Sequence, residues 1–448
     1  MTAATLCADR AAPTEVSGLN DTGAALKFIT CGSVDDGKST LIGRLLIDSR
    51  AVLLDQLANV SKNGETDLAR FTDGLSAERE QGITIDVAYR YFNTARRKFI
   101  IGDAPGHEQY TRNMVTAASS ADAAVVLVDA TKLQWQTDSL ELLAQTRRHC
   151  LLVNLLRVPS IVFAINKLDA LEDPRQPQTE GQSAVAFANI RHALEVFSQA
   201  AGMAVTAIVP VSALQGHNVV EPAIGWCNYQ GPSLLQILEQ LPVVPAQTAA
   251  PFCLPVQWVE KFSSSSDTLQ GRRIFWGRVA SGQARVGQQI AVLPGTQTAT
   301  VTQVLGHTRQ PGAVQSGHSA GIVLDREVDV SRGDWLLAAG PGSGNPSREL
   351  QATVAWMDEE PLVAGRVYWA LHGHRWVKAR IKRIVHKFDI TTLLAQEATQ
   401  LEANAIGQVE ISLQEAIVVQ PYRRSRLLGS LILVDTASHK TAGAVLVN

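Results

Sequence analysis

Five short apolar segments dominate the first half of the chain. They are Lys27–Cys31, Lys98–Gly102, Ala124–Val128, Ile161–Ile165 and Val205–Val209. None alternates between apolar and polar residues, which is typical of strands buried on both faces by helices. We therefore predict an α/β domain over residues 26–245 with a doubly wound, mostly parallel sheet. Ligands bind beyond the carboxyl ends of the strands in such sheets, so the polar residues after each segment are the candidates for a site.

A phosphate-binding pattern, GxxxxGK[ST], follows the first segment. It consists of Gly32, Ser33, Val34, Asp35, Asp36, Gly37, Lys38, Ser39 and Thr40, after which Leu41, Ile42, Leu45 and Leu46 recur at helical spacing. Strand, loop and helix in this order are the context that the pattern requires. Backbone N–H groups would converge on phosphate oxygens, Lys38 would reach the outer phosphates, and the Ser39 hydroxyl would ligate Mg²⁺. The alternative is a glycine-rich turn before an ordinary helix.

A DxxGH pattern follows the second segment and contains Asp103, Gly106 and His107. An aspartate at a strand end can hold Mg²⁺, usually through water. The Gly106 N–H can meet a terminal phosphate, and His107 is then close enough to orient an attacking water. Such a turn is common on its own, but downstream of a phosphate loop it favours a catalytic site.

An NKxD pattern follows the fourth segment, with Asn166, Lys167 and Asp169 at its defined positions. The Asp169 carboxylate can accept hydrogen bonds from N1 and N2 of guanine, a donor pair that adenine lacks. Asn166 can bridge to the base or to the phosphate loop, and the stem of Lys167 can cover the purine face. The backbone after the fifth segment, at Ser212 and Ala213, would meet the guanine O6, and Leu214 is included in the predicted GTP site. We predict GTP as the nucleotide.

Thr84 lies between the phosphate loop and DxxGH, in the stretch Glu78–Asp86. Its hydroxyl and carbonyl could close on Mg²⁺ and the γ-phosphate and be released on hydrolysis, as in switch segments of GTPases. The alternative is a β-branched residue that starts a strand running through Tyr91.

Composition excludes several classes of protein. Of the 448 residues 46% are hydrophobic and 18% charged, as in soluble globular proteins, and the formal net charge of −2 argues against a surface that coats nucleic acid broadly. The five cysteines form no CxxC pair, so we expect reduced thiols. No export signal or long apolar segment is present, so we expect a cytoplasmic protein with a disordered leader over residues 1–25.

The residue pattern of the second half differs from that of the first, and a linker at Leu241–Gln247 separates the two. Short apolar runs broken by glycine, such as Gln289–Leu293 and Gly321–Leu324, predict an antiparallel β-barrel over residues 246–346. The glycine-rich stretch Ala338–Pro346 is predicted to be a connector. A second barrel is expected over residues 347–448.

Three features of the second barrel have more than one interpretation. In Val377–Lys382 charged and apolar residues alternate, which favours a solvated strand face, with contact to a partner or nucleotide as the alternative. The segment Tyr422–Arg426 could bind phosphate or cap a strand. His372 and His374 are too few for a metal site and are expected to be structural.

Together, GxxxxGKST, GITID, DAPGHEQYTRNM and NKLD resemble the translation-factor class of GTPases. Within that class, the segments Thr72–Leu75, Arg96–Ile100 and Gly106–Met114 resemble the large, GTP-hydrolysing subunits of bacterial sulfate adenylyltransferase. The resemblance spans nearly the whole chain. It implies a GTPase domain followed by two β-barrels, with GTP and Mg²⁺ as cofactors. It also implies a small catalytic partner subunit that makes adenosine 5′-phosphosulfate and pyrophosphate from ATP and sulfate, a transfer that GTP hydrolysis would drive.

The resemblance also implies roles for individual residues. Lys38 and Ser39 match the phosphate and Mg²⁺ ligands, Thr84 and Asp103 the switch residues, and His107 the water-orienting histidine. Asn166, Lys167 and Asp169 match the guanine readers. Some relatives carry a fused kinase, but no second GxxxxGK[ST] occurs here, so we predict that this activity is absent.

The chain departs from the family pattern at Leu133–Ala144, which resembles an insertion. Its leucines at 140, 142 and 143 could extend a helix or touch the partner.

Two functions are therefore compared. The first is a regulatory GTPase subunit that acts in sulfate activation, and the second is a translation-type GTPase that carries aminoacyl-tRNA or acts on the ribosome. The near-neutral charge and the lack of a long basic run favour the first, so we expect neither a nucleic-acid nor a membrane partner.

Overall fold

The structure is a computed structural model, and its description covers most of the chain after residue 24. The described residues are 25–49, 61–62, 65–66, 86–107, 110–137, 140–172, 175–243, 250–261, 273–295, 297–340, 345–389, 392 and 394–448. The candidate switch residue Thr84 and residues 1–24 of the predicted leader lie outside these ranges.

A six-stranded sheet forms the centre of the first domain. Its strands are β1 (Leu26–Cys31), β4 (Ala88–Asn93), β5 (Lys98–Asp103), β6 (Ala123–Asp129), β7 (Ser160–Asn166) and β8 (Val205–Pro210), while β2 (Ser61–Lys62) and β3 (Glu65–Thr66) pair only with each other. The strand order is β4-β5-β1-β6-β7-β8, and every neighbouring pair is parallel except β4 with β5. This arrangement confirms the predicted, mostly parallel sheet.

Helices cover both faces of this sheet. They are α1 (Lys38–Asp48), α2 (Thr111–Ser119), α3 (Ala144–Leu155), α4 (Gln182–Ala200) and α5 (Leu234–Gln240). Apolar residues of α1 and α5 pack on one face, and those of α2, α3 and α4 pack on the other. With both faces covered, all seven residues of β6 and of β7 are buried, which explains their unalternating sequences. Among the described residues, none of the helices combines the length and the apolarity that crossing a bilayer requires.

An antiparallel sheet of seven strands follows in the middle of the chain. It is built from β9 (Cys253–Pro255), β10 (Trp258–Lys261), β11 (Arg273–Arg278), β13 (Gln289–Leu293), β14 (Gln297–Leu305), β16 (Ser319–Leu324) and β17 (Trp335–Ala338), with β12 (Gln283–Ala284) paired to β15 (Val314–Gln315). Cys253 of the edge strand β9 exchanges hydrogen bonds with the residues after β11: its N–H donates to Ser281 O at 3.1 Å and its carbonyl accepts from Ala280 N at 2.7 Å. The sheet therefore curls back on itself.

The C-terminal barrel is a closed ring of six strands. Its elements are β18 (Asn345–Trp356), β19 (Leu362–Val363), β20 (Val367–His372), β21 (Arg375–Phe388), β22 (Ala395–Gln396), β23 (Gln400–Leu401), β24 (Ile406–Val419), β25 (Ser430–Asp435) and β26 (Thr441–Val447). The ring runs β20-β25-β26-β18-β24-β21 and closes because β20 also pairs with β21. Val377, Ala379 and Ile381 point into its core and Lys378 and Arg380 point out, so the predicted alternation is present.

The C-terminal barrel and the first domain share one hydrophobic cluster. Ala355, Ile406 and Leu446 of the barrel are buried in the same cluster as residues of α2, α3 and α4. The Tyr422 hydroxyl donates a hydrogen bond of 3.0 Å to the carbonyl of Leu156, the residue directly after α3. Tyr422 therefore fixes the barrel to the first domain, a contact that neither sequence interpretation of Tyr422–Arg426 included.

The segment at Leu133–Ala144 does not extend a helix. Helix α3 begins at Ala144, and Leu143 before it has an extended backbone with φ −57° and ψ 140°. Leu133, Trp135 and Leu142 are instead buried in the shared cluster. Burial of these large apolar side chains holds the segment against the chain's own core, which a continuous helix would not permit.

His372 is a buried, structural histidine of the C-terminal barrel. Its ring centroid lies 5.2 Å from that of Trp335, and its Nε2 is 3.3 Å from Leu428 O. Burial lowers the pKa of His372 from 6.5 to about 4. The residue is therefore uncharged in the folded protein at neutral pH.

We expect the protein to lose stability as the pH falls from about 6.5 to about 4. The unfolded chain binds a proton at residue 372 throughout this range and the folded chain does not, so acid favours unfolding by up to about 1.4 kcal/mol per pH unit. Urea unfolding at pH 7.5 and pH 5 measures the effect. His372→Gln should weaken the pH dependence, and His439→Gln, which alters an exposed histidine, should not. Equal pH dependence in His372→Gln and wild type would contradict the assignment.

Candidate nucleotide-binding site

All the polar motifs that the structure describes meet at one edge of the first sheet. The phosphate loop follows β1, Asp103–His107 follows β5, Asn166–Asp169 follows β7, and Ser212–Leu214 follows β8. The sequence analysis did not assign a role to Asp129, which ends β6 at the same edge. Parallel strands explain this convergence because their carboxyl ends lie together.

The phosphate loop is closed tightly around its own lysine. Lys38 Nζ donates to Ser33 O at 2.7 Å and to Gly32 O at 3.3 Å, and burial lowers the pKa of Lys38. The Ser33 N–H donates to Asp36 Oδ2 at 2.5 Å. Gly37 has φ 90°, and a Cβ there would lie 2.5 Å from Asn166 Nδ2, so glycine is required by conformation and by space. Ser39 and Thr40 follow in the first turn of α1.

Two buried carboxylates and two partly exposed lysines stabilise the phosphate loop. Lys132 Nζ lies 3.0 Å from Asp36 Oδ1 and 3.8 Å from Asp129 Oδ2, and it also donates to Val34 O. Lys167 Nζ donates to Asp129 Oδ2 at 2.8 Å and to Asp35 O at 2.6 Å. Both carboxylates are buried, and each has a lysine partner, as buried charges require. These contacts join the phosphate loop to the ends of β6 and β7.

Asn166 connects three segments of the site. Its Nδ2 donates to Asp36 O at 2.9 Å, and its Oδ1 accepts from the Ala213 N–H at 3.0 Å. The side chain is buried, so these bonds fix the relative positions of the phosphate loop and of the loop after β8. The Ser212 N–H is also engaged within the protein, because it donates to His217 O at 3.1 Å. The Ser212 and Ala213 N–H groups therefore both donate within the protein, and contact of this loop with guanine O6 stays a prediction.

Asp169 lies in a short 3₁₀ helix, Leu168–Leu171, directly after Lys167. Lys167 has φ 63°, a left-handed conformation that is uncommon for a residue with a side chain. This turn reverses the chain at the end of β7. The buried Leu168 anchors the helix, and the half-buried Asp169 carboxylate is left at the mouth of the site.

Asp103 and Gly106 bring the end of β5 next to the phosphate loop. The Thr30 hydroxyl donates to Asp103 Oδ1 at 3.1 Å. A Cβ at Gly106 would lie 2.6 Å from Lys38 Nζ and 3.1 Å from Gly32 O, so only glycine allows so close an approach. His107 is the next residue and is half-buried. The structure therefore places DxxGH beside the lysine that is expected to hold the outer phosphates.

Gln145, near the start of α3, makes a contact that the sequence analysis missed. Its Nε2 donates to Gly106 O at 3.0 Å and also lies 3.0 Å from Nε2 of the buried His149, while its Oε1 accepts from Arg148 at 2.8 Å. Burial lowers the pKa of His149 to about 3, so this histidine is neutral and its Nε2 can accept the second amide proton. The amide of Gln145 is thus held in one orientation towards Gly106.

Two family models match this chain. The model described as the elongation factor Tu GTP binding domain matches residues 24–244. The model described as the GTP-eEF1A C-terminal domain-like family matches residues 349–448. The first match covers the site described above, and the second covers nearly all of the C-terminal barrel.

Curated relatives match over almost the whole chain. Sulfate adenylyltransferase subunit 1 of Laribacter hongkongensis is 40% identical over 95% of this chain and 85% of the relative. The protein of the same name from Citrobacter koseri is 42% identical over 94% of this chain and 86% of the relative. The longer bifunctional enzyme CysN/CysC of Xylella fastidiosa is 42% identical, and the match covers 94% of this chain and 65% of that enzyme.

Proposed function

This chain belongs to the sulfate adenylyltransferase subunit 1 family of GTPases, and from that membership we propose that it is the GTP-hydrolysing regulatory subunit of a sulfate adenylyltransferase. The observation that best supports a GTP site is the position of Asn166, whose two buried hydrogen bonds tie the guanine-reading motif to the phosphate loop at Asp36 O and to the loop after β8 at the Ala213 N–H. A nucleotide needs both motifs at a fixed separation, one for the base and one for the phosphates.

Guanine recognition is assigned to Asp169 and to the loop after β8. The Asp169 carboxylate accepts hydrogen bonds from N1 and N2 of the base. Because the N–H groups of Ser212 and Ala213 are engaged, we assign the O6 contact to the N–H of the next residue, Leu214. Lys167 is held at its ammonium group by Asp129 and Asp35, which orients its apolar stem for contact with the purine.

The residues at the phosphate end fit Mg²⁺. Ser39 offers a hydroxyl in the first turn of α1, and Asp103 offers a buried carboxylate at the end of β5. Mg²⁺ prefers such oxygen donors, takes few of them from the protein and keeps several waters. When bound, the ion neutralises charge on the β- and γ-phosphates. We assign Ser39 as a direct ligand and Asp103 as a ligand through water, and Thr84 remains the proposed switch ligand.

Hydrolysis is assigned to Lys38, Gly106 and His107. Lys38 approaches the outer phosphates from inside the loop, and Gly106 presents its N–H beside it. His107 then orients the attacking water rather than bonding the nucleotide in its ground state.

The partner in this proposal is a small catalytic subunit that forms adenosine 5′-phosphosulfate and pyrophosphate from ATP and sulfate. The steady-state GTPase rate, measured for the purified chain alone and then with the small subunit, ATP and sulfate, tests the proposal. We expect a low intrinsic rate that rises only when all three are present. A GTPase rate that does not change with the small subunit, ATP and sulfate but rises with ribosomes would overturn the proposal. It would favour a translation-type GTPase.

Asn166→Ala should lower GTP affinity by about 10- to 100-fold. The change removes the bond to the phosphate loop and the bond to the loop after β8, and each contributes about 0.5–1.5 kcal/mol. Titration with a fluorescent GTP analogue measures the loss. Asn189→Ala is a matched control, because Asn189 also donates to a backbone oxygen, that of Trp135 at 2.9 Å, away from the site. Unchanged affinity in Asn166→Ala would contradict the bridging role.

Gln145 is proposed as a positioning residue for Gly106. Gln145→Ala should lower kcat for GTP hydrolysis by about tenfold and leave KM nearly unchanged, because one hydrogen bond to the Gly106 carbonyl is lost. Gln145→Glu should behave alike, since a carboxylate has no proton to donate to that carbonyl. A proportional rise of KM without a fall of kcat would indicate a purely structural role.

A further inference from the structure

A row of apolar side chains crosses three strands on the outer face of the C-terminal barrel. Leu371 of β20 lies opposite Trp376 of β21 and opposite Ile432 of β25. Trp376 is 52% exposed and Ile432 is 39% exposed, while Leu371 is half-buried. Directly opposed residues on neighbouring strands lie on one face, so the three side chains form a continuous apolar surface. Such surfaces on soluble proteins are typical of binding sites for another macromolecule.

Two cations extend this row along β21. Side chains alternate along a strand, so Lys378 and Arg380 point outward with Trp376. Lys378 Nζ lies 5.4 Å from the ring centroid of Trp369, which is on β20 directly opposite it. The apolar row and the cations therefore belong to one surface, which we call the Trp376 face: Trp369, Leu371, Trp376, Lys378, Arg380 and Ile432.

The charge of the Trp376 face differs from that of the rest of β21. The other four cations of this strand are each paired with carboxylates: Arg375 with Asp334 and Glu415, Lys382 with Glu349, Arg383 with Glu410, and Lys387 with Glu402. Within the part of the chain that the structure describes, Lys378 and Arg380 form no ion pair. The face therefore carries positive charge for which the described chain supplies no counter-charge.

The Trp376 face is also separate from the contact with the first domain. The barrel residues in the shared cluster come from β18, β24, β26, the last residue of β21, and two residues outside the strands, Met357 and Tyr422. Among the described residues, β20 and β25 contribute none. The first domain therefore does not cover the outer face of β20 and β25, while the turn between β20 and β21 contacts the middle sheet through His372 and Arg375.

We propose that the Trp376 face binds the partner subunit, through an acidic surface on that subunit with an apolar centre. This inference rests on the proposed function, from which it takes the partner. Exposed tryptophan and arginine side chains supply much of the binding energy in protein interfaces. The two cations select for carboxylates on the partner and against a basic surface.

Nucleic acid fits this face less well. Glu349, Glu410 and Glu415 lie on the neighbouring strands β18 and β24. These carboxylates each pair with a cation of β21, so only Lys378 and Arg380 are left to meet a phosphate backbone, and nucleic-acid affinity depends on many such phosphate contacts.

Calorimetric titration of the full chain with the purified small subunit of sulfate adenylyltransferase tests the inference. Trp376→Ala should weaken binding by about 30-fold. The charge reversal Lys378→Glu with Arg380→Glu should weaken it by a similar factor, with a smaller loss at high salt. Trp258→Ala is the matched control, because Trp258 is 64% exposed but lies on the middle sheet. GTP affinity should be unchanged in every variant, which verifies that each is folded.

Four outcomes would overturn the inference. Equal binding of wild type and both Trp376-face variants would remove the face from the interface and leave the proposed function intact. A loss of binding in Trp258→Ala alone would move the interface to the middle sheet. If the wild-type chain does not bind the small subunit at all, the proposed function fails together with this inference. A loss of RNA binding in the variants, with small-subunit binding unchanged, would assign the face to nucleic acid instead.

Discussion

His107→Ala should slow GTP hydrolysis by about 10²- to 10⁴-fold while GTP still binds with nearly wild-type affinity. The histidine follows Gly106, whose backbone lies against Lys38 in the phosphate loop. An imidazole at this position acts on the attacking water, so its contribution is made in the transition state and not in the bound ground state. Single-turnover hydrolysis and equilibrium titration, measured on the same preparation, separate the two effects.

A second histidine provides the control for this prediction. His192→Ala removes an exposed histidine of the first domain that lies on α4, outside the segments that form the nucleotide site. That variant should hydrolyse GTP at a rate close to wild type. A fall in GTP affinity that matches the fall in rate in His107→Ala would show that the residue supports nucleotide binding in general.

Asp169→Asn should lower GTP affinity by about 10²- to 10³-fold and make the protein prefer xanthosine triphosphate. The carboxylate accepts two hydrogen bonds from guanine, and replacing one oxygen by an amide nitrogen opposes a donor with a donor. Xanthine carries a carbonyl in place of the N2 amino group, so it restores the hydrogen bond that the variant loses. Competition between the two nucleotides against a fluorescent analogue measures the change in preference.

A neighbouring acidic residue tests whether that effect is specific. Glu172 lies just beyond the short helix that contains Asp169 and accepts a hydrogen bond from the Ser183 N–H at 3.0 Å. Glu172→Gln should leave base preference unchanged. If Asp169→Asn keeps the affinity and base preference of wild type, the carboxylate does not read guanine.

The sequence predicted the fold and the position of the site because both depend on local patterns. Unalternating strands reveal burial on both faces, and the polar residues at their ends meet wherever parallel strands lie side by side. The structure confirms the mostly parallel sheet that this pattern predicts. The motifs around Lys38 and Asn166 could be recognised in the sequence for the same reason, because each occupies a few consecutive residues.

Contacts between distant segments could not be read in this way. Lys132 reaches Asp36 across 96 residues, and Gln145 reaches the Gly106 carbonyl across 39. Nothing in the sequence near Lys132 distinguishes it from an exposed lysine, because its partner is defined only once β1 and β6 are adjacent. The leucines of the segment Leu133–Ala144 suggested a helix that is not formed, for a related reason. Their spacing permits a helix, but burial in the shared cluster holds Leu142 in an extended segment.

The cluster shared by the first domain and the C-terminal barrel buries apolar side chains of one against those of the other. Tyr422 and its apolar neighbours cover the side of the first domain formed by α2, α3 and α4. Removal of the last hundred residues would therefore expose a large apolar area, and the remaining piece would tend to aggregate instead of forming a minimal GTPase. During synthesis on the ribosome, the first domain emerges long before the C-terminal barrel that covers its α2, α3 and α4 side. The newly made chain therefore carries this apolar side uncovered until the final strands are complete.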